Sequence, residues 1–152
     1  MYHLMARSSA EERIFRTTAD YVEFVTLLGG SGIACHAFCV LRTHYHVVGT
    51  LHDDCLAKEM HRLNRLYAVA FNRRHGRRGR VFDRPYHSVP VESDAQLVWL
   101  ARYVAQNPLN PRRWQWSSFV TDYSFVDMSP LEAPFGDRSR LLQFVFDAGS
   151  TP

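Results

Sequence analysis

Two periods of hydrophobicity run through the chain and predict its elements. The segment YHLMAR, Tyr2 to Arg7, reads as a first strand followed by a polar connection. After Thr18, placed as an N-cap, Tyr21, Phe24, Val25 and Leu28 recur at helical spacing, and Gly29 stops that helix. Ile33 to Leu41 is a strand rich in apolar residues, His44 to Leu51 is a second, and Arg42-Thr43 between them suits a tight hairpin. A long helix, capped by Asp53 or Asp54, runs to about Asn72 with Leu56, Met60, Leu63, Tyr67, Ala70 and Phe71 as its buried stripe. The loop RRHGRRGR follows, then a short strand around Tyr86 to Val91. Another helix begins at Ser93 or Asp94 and ends near Asn107, because Pro108 disfavours helical geometry in the residue before it. Beyond it the pattern is irregular, with one short helix at RSRLLQFVF.

The order β-α-β-β-α-β-α contains the split βαβ unit. The expected fold is therefore α+β: a ferredoxin-like β-α-β-β-α-β sandwich with an antiparallel sheet and an additional helix on its C-terminal side. Helices should cover one sheet face and leave the other open. No repeat or interdomain linker interrupts the pattern.

Composition narrows the class. A chain of 152 residues suits one domain with its own core, and 46% hydrophobic with 13% aromatic residues argues against disorder. No run of about 18 apolar residues suggests a membrane span. The start, MYHLMARSSAEER, lacks a basic-then-apolar export pattern. Cys35, Cys39 and Cys55 fit no common zinc spacing and read as small buried thiols in a reducing, cytoplasmic setting. The net charge of +3 is modest, but Lys58 is the one lysine among 18 basic residues. Arg62, Arg65, Arg73, Arg74, Arg77, Arg78, Arg80 and Arg84 share a span whose one carboxylate is Asp83. Such an excess can bind phosphates, although a charge run taken alone is more simply a solvated face.

Candidate chemistry starts at HYH. Alternate strand residues share a face, so His44 and His46 project together, roughly 7 Å apart along the strand. Tyr45, Val47 and Leu51 then point to the opposite, helix-packed face. That parity suits a two-histidine metal clamp and suits two packed imidazoles equally well. On the late helix, Leu97, Leu100, Ala101 and Val104 form the core stripe, while Gln96, Tyr103 and Asn107 group on a polar side. An aromatic off the core stripe with an amide one turn later is unusual, though a partly exposed tyrosine and a C-terminal capping asparagine are common separately.

In order, HYH on a strand, an arginine-rich segment, RYVAQNP on a late helix and then WQWSSF resemble the REP-associated tyrosine transposases. These are single-tyrosine HUH endonucleases. IFRTTADYVEFVTLL and LYAVAFNRRHGRRGRVFDRPYHSVPV are similar to the family in order and spacing. The likeness spans about positions 2 to 119, so positions 1–119 are read as the HUH tyrosine transposase-like domain and 120–152 as a C-terminal extension packed on it. The resemblance makes the late helix the catalytic one and implies Tyr103 as nucleophile, with His44, His46 and Asn107 holding Mg²⁺ or Mn²⁺. Two imidazoles tilt that choice toward Mn²⁺. It implies cleavage of single-stranded DNA near hairpin or palindromic repeats through a 5′-phosphotyrosine link. Arg73, Arg74, Arg77, Arg78, Arg80 and Arg84 would track phosphates in a nucleoid-associated monomer or homodimer. Tyr86, Trp114 and Trp116 could stack bases, with packing the preferred role.

Two departures from the family stand out. Leu41-Arg42-Thr43 replaces the usual Met-Pro-Asn before the first histidine, and Pro85 stands where an arginine is common. Two competing readings remain open at this level: a non-cleaving hairpin DNA- or RNA-binding relative, and a ferredoxin-like RNA-binding domain whose histidines are structural.

Overall fold

In the computed structural model, which describes residues 1–8, 12–51 and 53–147, four strands form one antiparallel sheet in the order β2-β3-β1-β4. The strands are β1 (Tyr2–Arg7), β2 (Ala34–Val40), β3 (His44–Thr50) and β4 (His87–Pro90). Helix α1 (Thr18–Gly29) joins β1 to β2, and α2 (Leu56–His75) joins β3 to β4. The fold is α+β with the ferredoxin-like strand order. Helix α3 (Asp94–Gln106) follows β4, with Ser93 accepting from the Gln96 N–H as its cap.

Both sheet faces are covered, which corrects the expected open face. Tyr45 and Val47 of β3 enter a layer with Phe24 and Leu28 of α1 and Met60, Leu63, Tyr67 and Phe71 of α2. Val48, Ala37 and Cys39 face the other way, against Leu97, Ala101 and Val104 of α3. The latter layer is closed from outside by Met128, Leu131, Leu141, Phe144 and Val145, from the segment carrying α4 (Ser129–Glu132) and α5 (Arg138–Phe146). The near-continuous apolar runs of β2 and β3 explain this, since such strands lose free energy unless both faces leave water. On α3, Val98 and Ala105 are buried as well, whereas Leu100 is half-buried, because two layers rather than one contact the helix.

A bulge resets parity in β2. Cys35 pairs with Gly49 but Ala37 pairs with Val48, so His36 is the extra residue. Ile33 and Cys35 consequently face the α1/α2 layer, and Cys39 the α3 layer. The two buried cysteines do not share a face, contrary to simple alternation. His36 is held by the Asp127 carbonyl at 2.9 Å and by Thr50 Oγ1 at 2.8 Å. Gly49 is needed opposite: a Cβ there would lie 2.6 Å from Ile33 Cγ2.

The WQWSSF segment seals the free edge of β2. Val40 N donates to the Trp116 carbonyl at 2.9 Å, Ser118 N to the Phe38 carbonyl at 3.0 Å, and Trp114 Nε1 to the Val40 carbonyl at 2.7 Å. Tyr21 stacks on Trp116 with ring centroids 4.9 Å apart. Trp114, Trp116 and Tyr86 are thus packing residues of the α1/α2 layer. An edge strand left bare would offer unpaired backbone groups to another chain.

Helix α2 starts at Leu56 after a 3₁₀ turn, with Cys55 in the capping position and no side-chain cap bond. Asp54 therefore does not cap it, and the Asp53 side chain lies outside the described residues. The helix runs past Asn72 to His75, where Gly76 stops it at a φ of 62°. Tertiary contacts hold that last turn. Asp20, fully buried, accepts from Arg74 Nη1 at 2.8 Å and His75 Nε2 at 3.0 Å, and from the Arg16 and Thr17 backbone N–H groups at 2.9 Å. Its bond to the Thr17 N–H closes the start of α1, so the N-cap is Thr17 rather than Thr18.

Burial pushes the Asp20 carboxyl up, but the Thr17, Arg16, His75 and Arg74 donors together hold it below the usual carboxylate value. A lowered folded-state pKa stabilises the fold above the unfolded value and loses that contribution as pH falls through the folded one. Asp20→Asn is expected to cost about 2–3 kcal/mol in urea unfolding at pH 7. The difference from the parent should shrink below about pH 4; a gap independent of pH would show that charge is not the cause.

Candidate active site

Strand parity places the site on the α3 face. In β3, His44 and His46 lie on that side. In β1, Leu4 and Ala6 enter the α1/α2 layer, so His3, Met5 and Arg7 face the same way as the two histidines. The register sets Met5 opposite His46 and His3 opposite Val48. The His44 and His46 ring centroids are 5.0 Å apart.

Tyr103 and Asn107 reach this face from α3. The Tyr103 ring stands edge-on to His46 at 5.3 Å and to His3 at 6.1 Å, yet 53% of the residue stays exposed. Asn107, just past the last residue of α3, retains helical φ and ψ of −62° and −36°, so it remains one turn on from Tyr103. Its Oδ1 lies 3.3 Å from His44 Nε2. The four residues singled out from sequence therefore converge from β3 and α3.

Both nitrogens of His44 have a partner, the second being Asn107 Oδ1, whereas His46 has one nitrogen committed. His44 Nδ1 is 2.9 Å from Thr43 Oγ1, and His46 Nδ1 is 2.9 Å from His3 Nε2. The Nε2 of His46 is buried with no hydrogen-bond partner. Leaving such a group unpaired costs roughly 1–3 kcal/mol. Burial, with smaller help from His3, His44 and Arg7, pushes His46 down to about 3. Burial also lowers His44, against a raising bond to Asn107, and lowers His3. All three shifts favour the neutral imidazole.

His3 is the site residue that reading HYH and YVAQNP misses. It stacks on His46 with ring centroids 5.1 Å apart and planes at 22°. The signal was present in YHLMAR, where Tyr2, Leu4 and Ala6 alternate with His3, Met5 and Arg7. Among the described residues, no group of three or more His, Cys, Asp or Glu side chains is arranged to hold a metal. A metal set here therefore needs the Asn107 carboxamide beside two histidines.

The arginine-rich segment divides in two. Arg74 is paired with Asp20 and Glu23, and Arg77 with Glu12 at 3.0 Å, its guanidinium over the Phe71 ring. Those two guanidiniums are occupied in joining elements. Arg73, Arg78, Arg80 and Arg84 are exposed and form no ion pair among the described residues. Among the described residues, no helix is long and apolar enough to cross a membrane.

No family model matches this chain. No curated protein matches it either. Among solved structures, it is similar to a REP-associated tyrosine transposase bound to a REP hairpin, at 15% identity and a TM-score of 0.61 over 83% of this chain and 90% of that one. The sheet, its helices and the face on which the histidines meet Tyr103 thus belong to a chain with the fold of that transposase.

Proposed function

We propose that this protein is a metal-dependent strand transferase for single-stranded DNA, acting beside hairpin or palindromic sequences with Tyr103 as nucleophile. The observation that carries the reading is the meeting of Tyr103, Asn107, His44 and His46 from α3 and β3 on one sheet face. The hairpin bound by the structural neighbour supports the substrate class.

The residues fit a divalent cation. His46 Nε2 is buried with no partner, and with the ring proton on Nδ1 toward His3 it offers a lone pair that is costly without an electrophile and useful with one. The 3.3 Å between His44 Nε2 and Asn107 Oδ1 suits two neighbouring ligands of one small ion, which would stand about 3 Å apart in an octahedral shell. Two imidazoles and an amide oxygen favour Mn²⁺ over Mg²⁺. When bound, the cation polarises the scissile phosphate and offsets charge developing on its oxygens.

The side chains supply the rest. Tyr103, held edge-on by His46 and His3 but open on its other side, can reach a strand laid over the face. Its Oη forms a bond to phosphorus as the bond to the 3′ oxygen breaks. The phenol gives up its proton and the 3′ oxygen gains one, leaving a 5′-phosphotyrosine and a 3′-OH. The reverse attack by another 3′-OH rejoins DNA without external energy. His3 acts through His46, as a positioning residue that fixes which imidazole nitrogen faces the cation.

Incubating the protein with labelled hairpin-bearing single-stranded DNA and Mn²⁺ should give a denaturation-resistant adduct, absent in Tyr103→Phe while affinity is kept. Binding without any adduct would favour a non-cleaving hairpin-binding protein. Mn²⁺ added to chelator-stripped protein should raise Tm by roughly 5 °C, and His44→Ala or His46→Ala should remove that shift. Equal shifts in parent and variants would place the metal elsewhere. His3→Ala should weaken Mn²⁺ binding roughly 10–100-fold, with adduct formation recovering at high Mn²⁺. Loss that excess Mn²⁺ cannot repair would make His3 more than a positioning residue.

A further inference from the structure

We infer that the cleft beside His44 is a second phosphate subsite, holding a backbone phosphate of the DNA strand next to the reacting one; this rests on the strand-transfer reading. The cleft measures about 590 Å³ and is lined by Arg7, Ser8, Arg13, Arg42, Thr43, His44 and Asp83. None of these arginines belongs to the segment 62–84 that composition singles out.

Its walls are built from pinned backbone. Ser8 N donates to the Thr43 carbonyl at 2.9 Å, Ile14 N and Phe15 N to the Arg42 carbonyl at 2.9 and 3.0 Å, and Asp83 N to the Arg7 carbonyl at 2.9 Å. Ile14 and Phe15 are buried, so the chain bearing Arg13 is anchored against the hairpin bearing Arg42. Three arginines thus line one opening, and among the described residues they form no ion pair and Asp83 is the one carboxylate that lines it with them.

A second observation points to a ligand there. Ser8 is only 5% exposed, lines the cleft, and its Oγ has no hydrogen-bond partner. A buried hydroxyl beside unpaired guanidiniums matches a ligand made of acceptors, as a phosphodiester is. Arg7 and Asp83 also line a neighbouring groove of about 450 Å³ that adds Arg84, Tyr86 and His87. Two neighbouring grooves that share an arginine suit a polyanionic strand better than a lone ion.

Arg42 gives the subsite its logic. It lies two residues before His44 and lines the same cleft. Cations lining a cleft with His44 would oppose a metal held there unless an anion lies between them. A phosphate in the cleft supplies that anion, and Thr43, bonded to His44 Nδ1, links the two places.

The test is fluorescence anisotropy of the full chain on hairpin-bearing single-stranded DNA across a salt series, alongside adduct formation. Arg42→Gln and Arg13→Gln should each lower affinity about tenfold and flatten the salt slope by about 0.7. Arg140→Gln on α5, which removes the same charge elsewhere, should leave the slope unchanged. Ser8→Ala should weaken DNA binding without loss of thermal stability, because its hydroxyl makes no bond in the free protein. Unchanged slopes in both arginine variants overturn the subsite, even where the parent still forms its adduct. A parent that binds with these slopes yet forms no adduct sinks the strand-transfer reading and keeps the subsite as part of a DNA-binding surface. Inorganic phosphate supplies the other arm: a Tm rise in the parent that Arg42→Gln abolishes, with DNA binding equal in the two, assigns the cleft to a free anion and overturns the DNA assignment.

Discussion

Strand β3 is covered on both faces, and its two-residue period sends each side chain into one of two chemically different layers. Tyr45 enters the aromatic layer of Phe24 and Tyr67, where its hydroxyl donates to Asn64 Oδ1 at 2.7 Å. His46, one residue on, enters the α3 layer fully buried with Nε2 unpaired. A one-residue slip would exchange them, placing imidazoles among hydrocarbon and a phenol under Tyr103. Register is thus held by the core and used by the site. The pairing of β3 with β1 on one side and β2 on the other fixes it twice.

That arrangement separates what stabilises from what reacts. The aromatic layer contributes on the order of 1.5–3 kcal/mol for each large side chain fully buried. Against such a sum, an unpaired nitrogen on His46 is affordable, while the same defect in a small or loose layer would not be. The α3 layer needs its own cover because α3 must hold Tyr103 and Asn107 at fixed distance from β3. Helix α5 provides it: Gln106 donates to the Val145 carbonyl at 2.9 Å, and Leu141 and Val145 close over Ala101 and Ala105. Among the described residues, no hydrogen bond or ring contact joins positions after 119 to Tyr103, Asn107, His44 or His46, yet α5 packs on the helix that carries two of them.

Element order and the positions of His44, His46, Tyr103 and Asn107 were legible because each rests on local periodicity: two residues for β3, 3.6 for α3. What was not legible depended on partners far along the chain. The bulge at His36 inverts the facing of Cys35 relative to Cys39, and nothing in IACHAFCVL announces it; Gly49 and the Asp127 carbonyl hold it. The extra turn of α2 depends on Asp20, more than 50 residues earlier. Packing is the preferred role for the tryptophans of WQWSSF, but that they close a sheet edge is set by β2 and not by their own neighbours. The same holds for charge. Clustering along the sequence singled out Arg74 and Arg77, which are spent on Asp20, Glu23 and Glu12. Folding gathers Arg7, Arg13 and Arg42 from three separate segments.

The electrostatics of the two neighbouring places follow from these positions. The donors facing Tyr103 are two neutral imidazoles and an amide, a set without negative charge. Structural divalent sites ordinarily include a carboxylate, and a neutral set beside Arg7 and Arg42 holds a cation weakly by itself. A DNA strand would change the balance, because each phosphate brings one negative charge to a cleft where Asp83 is the one lining carboxylate among the described residues. On the proposed reading, cation and strand would favour one another: the phosphate would offset the arginines, and the ion would take the unpartnered Nε2 of His46.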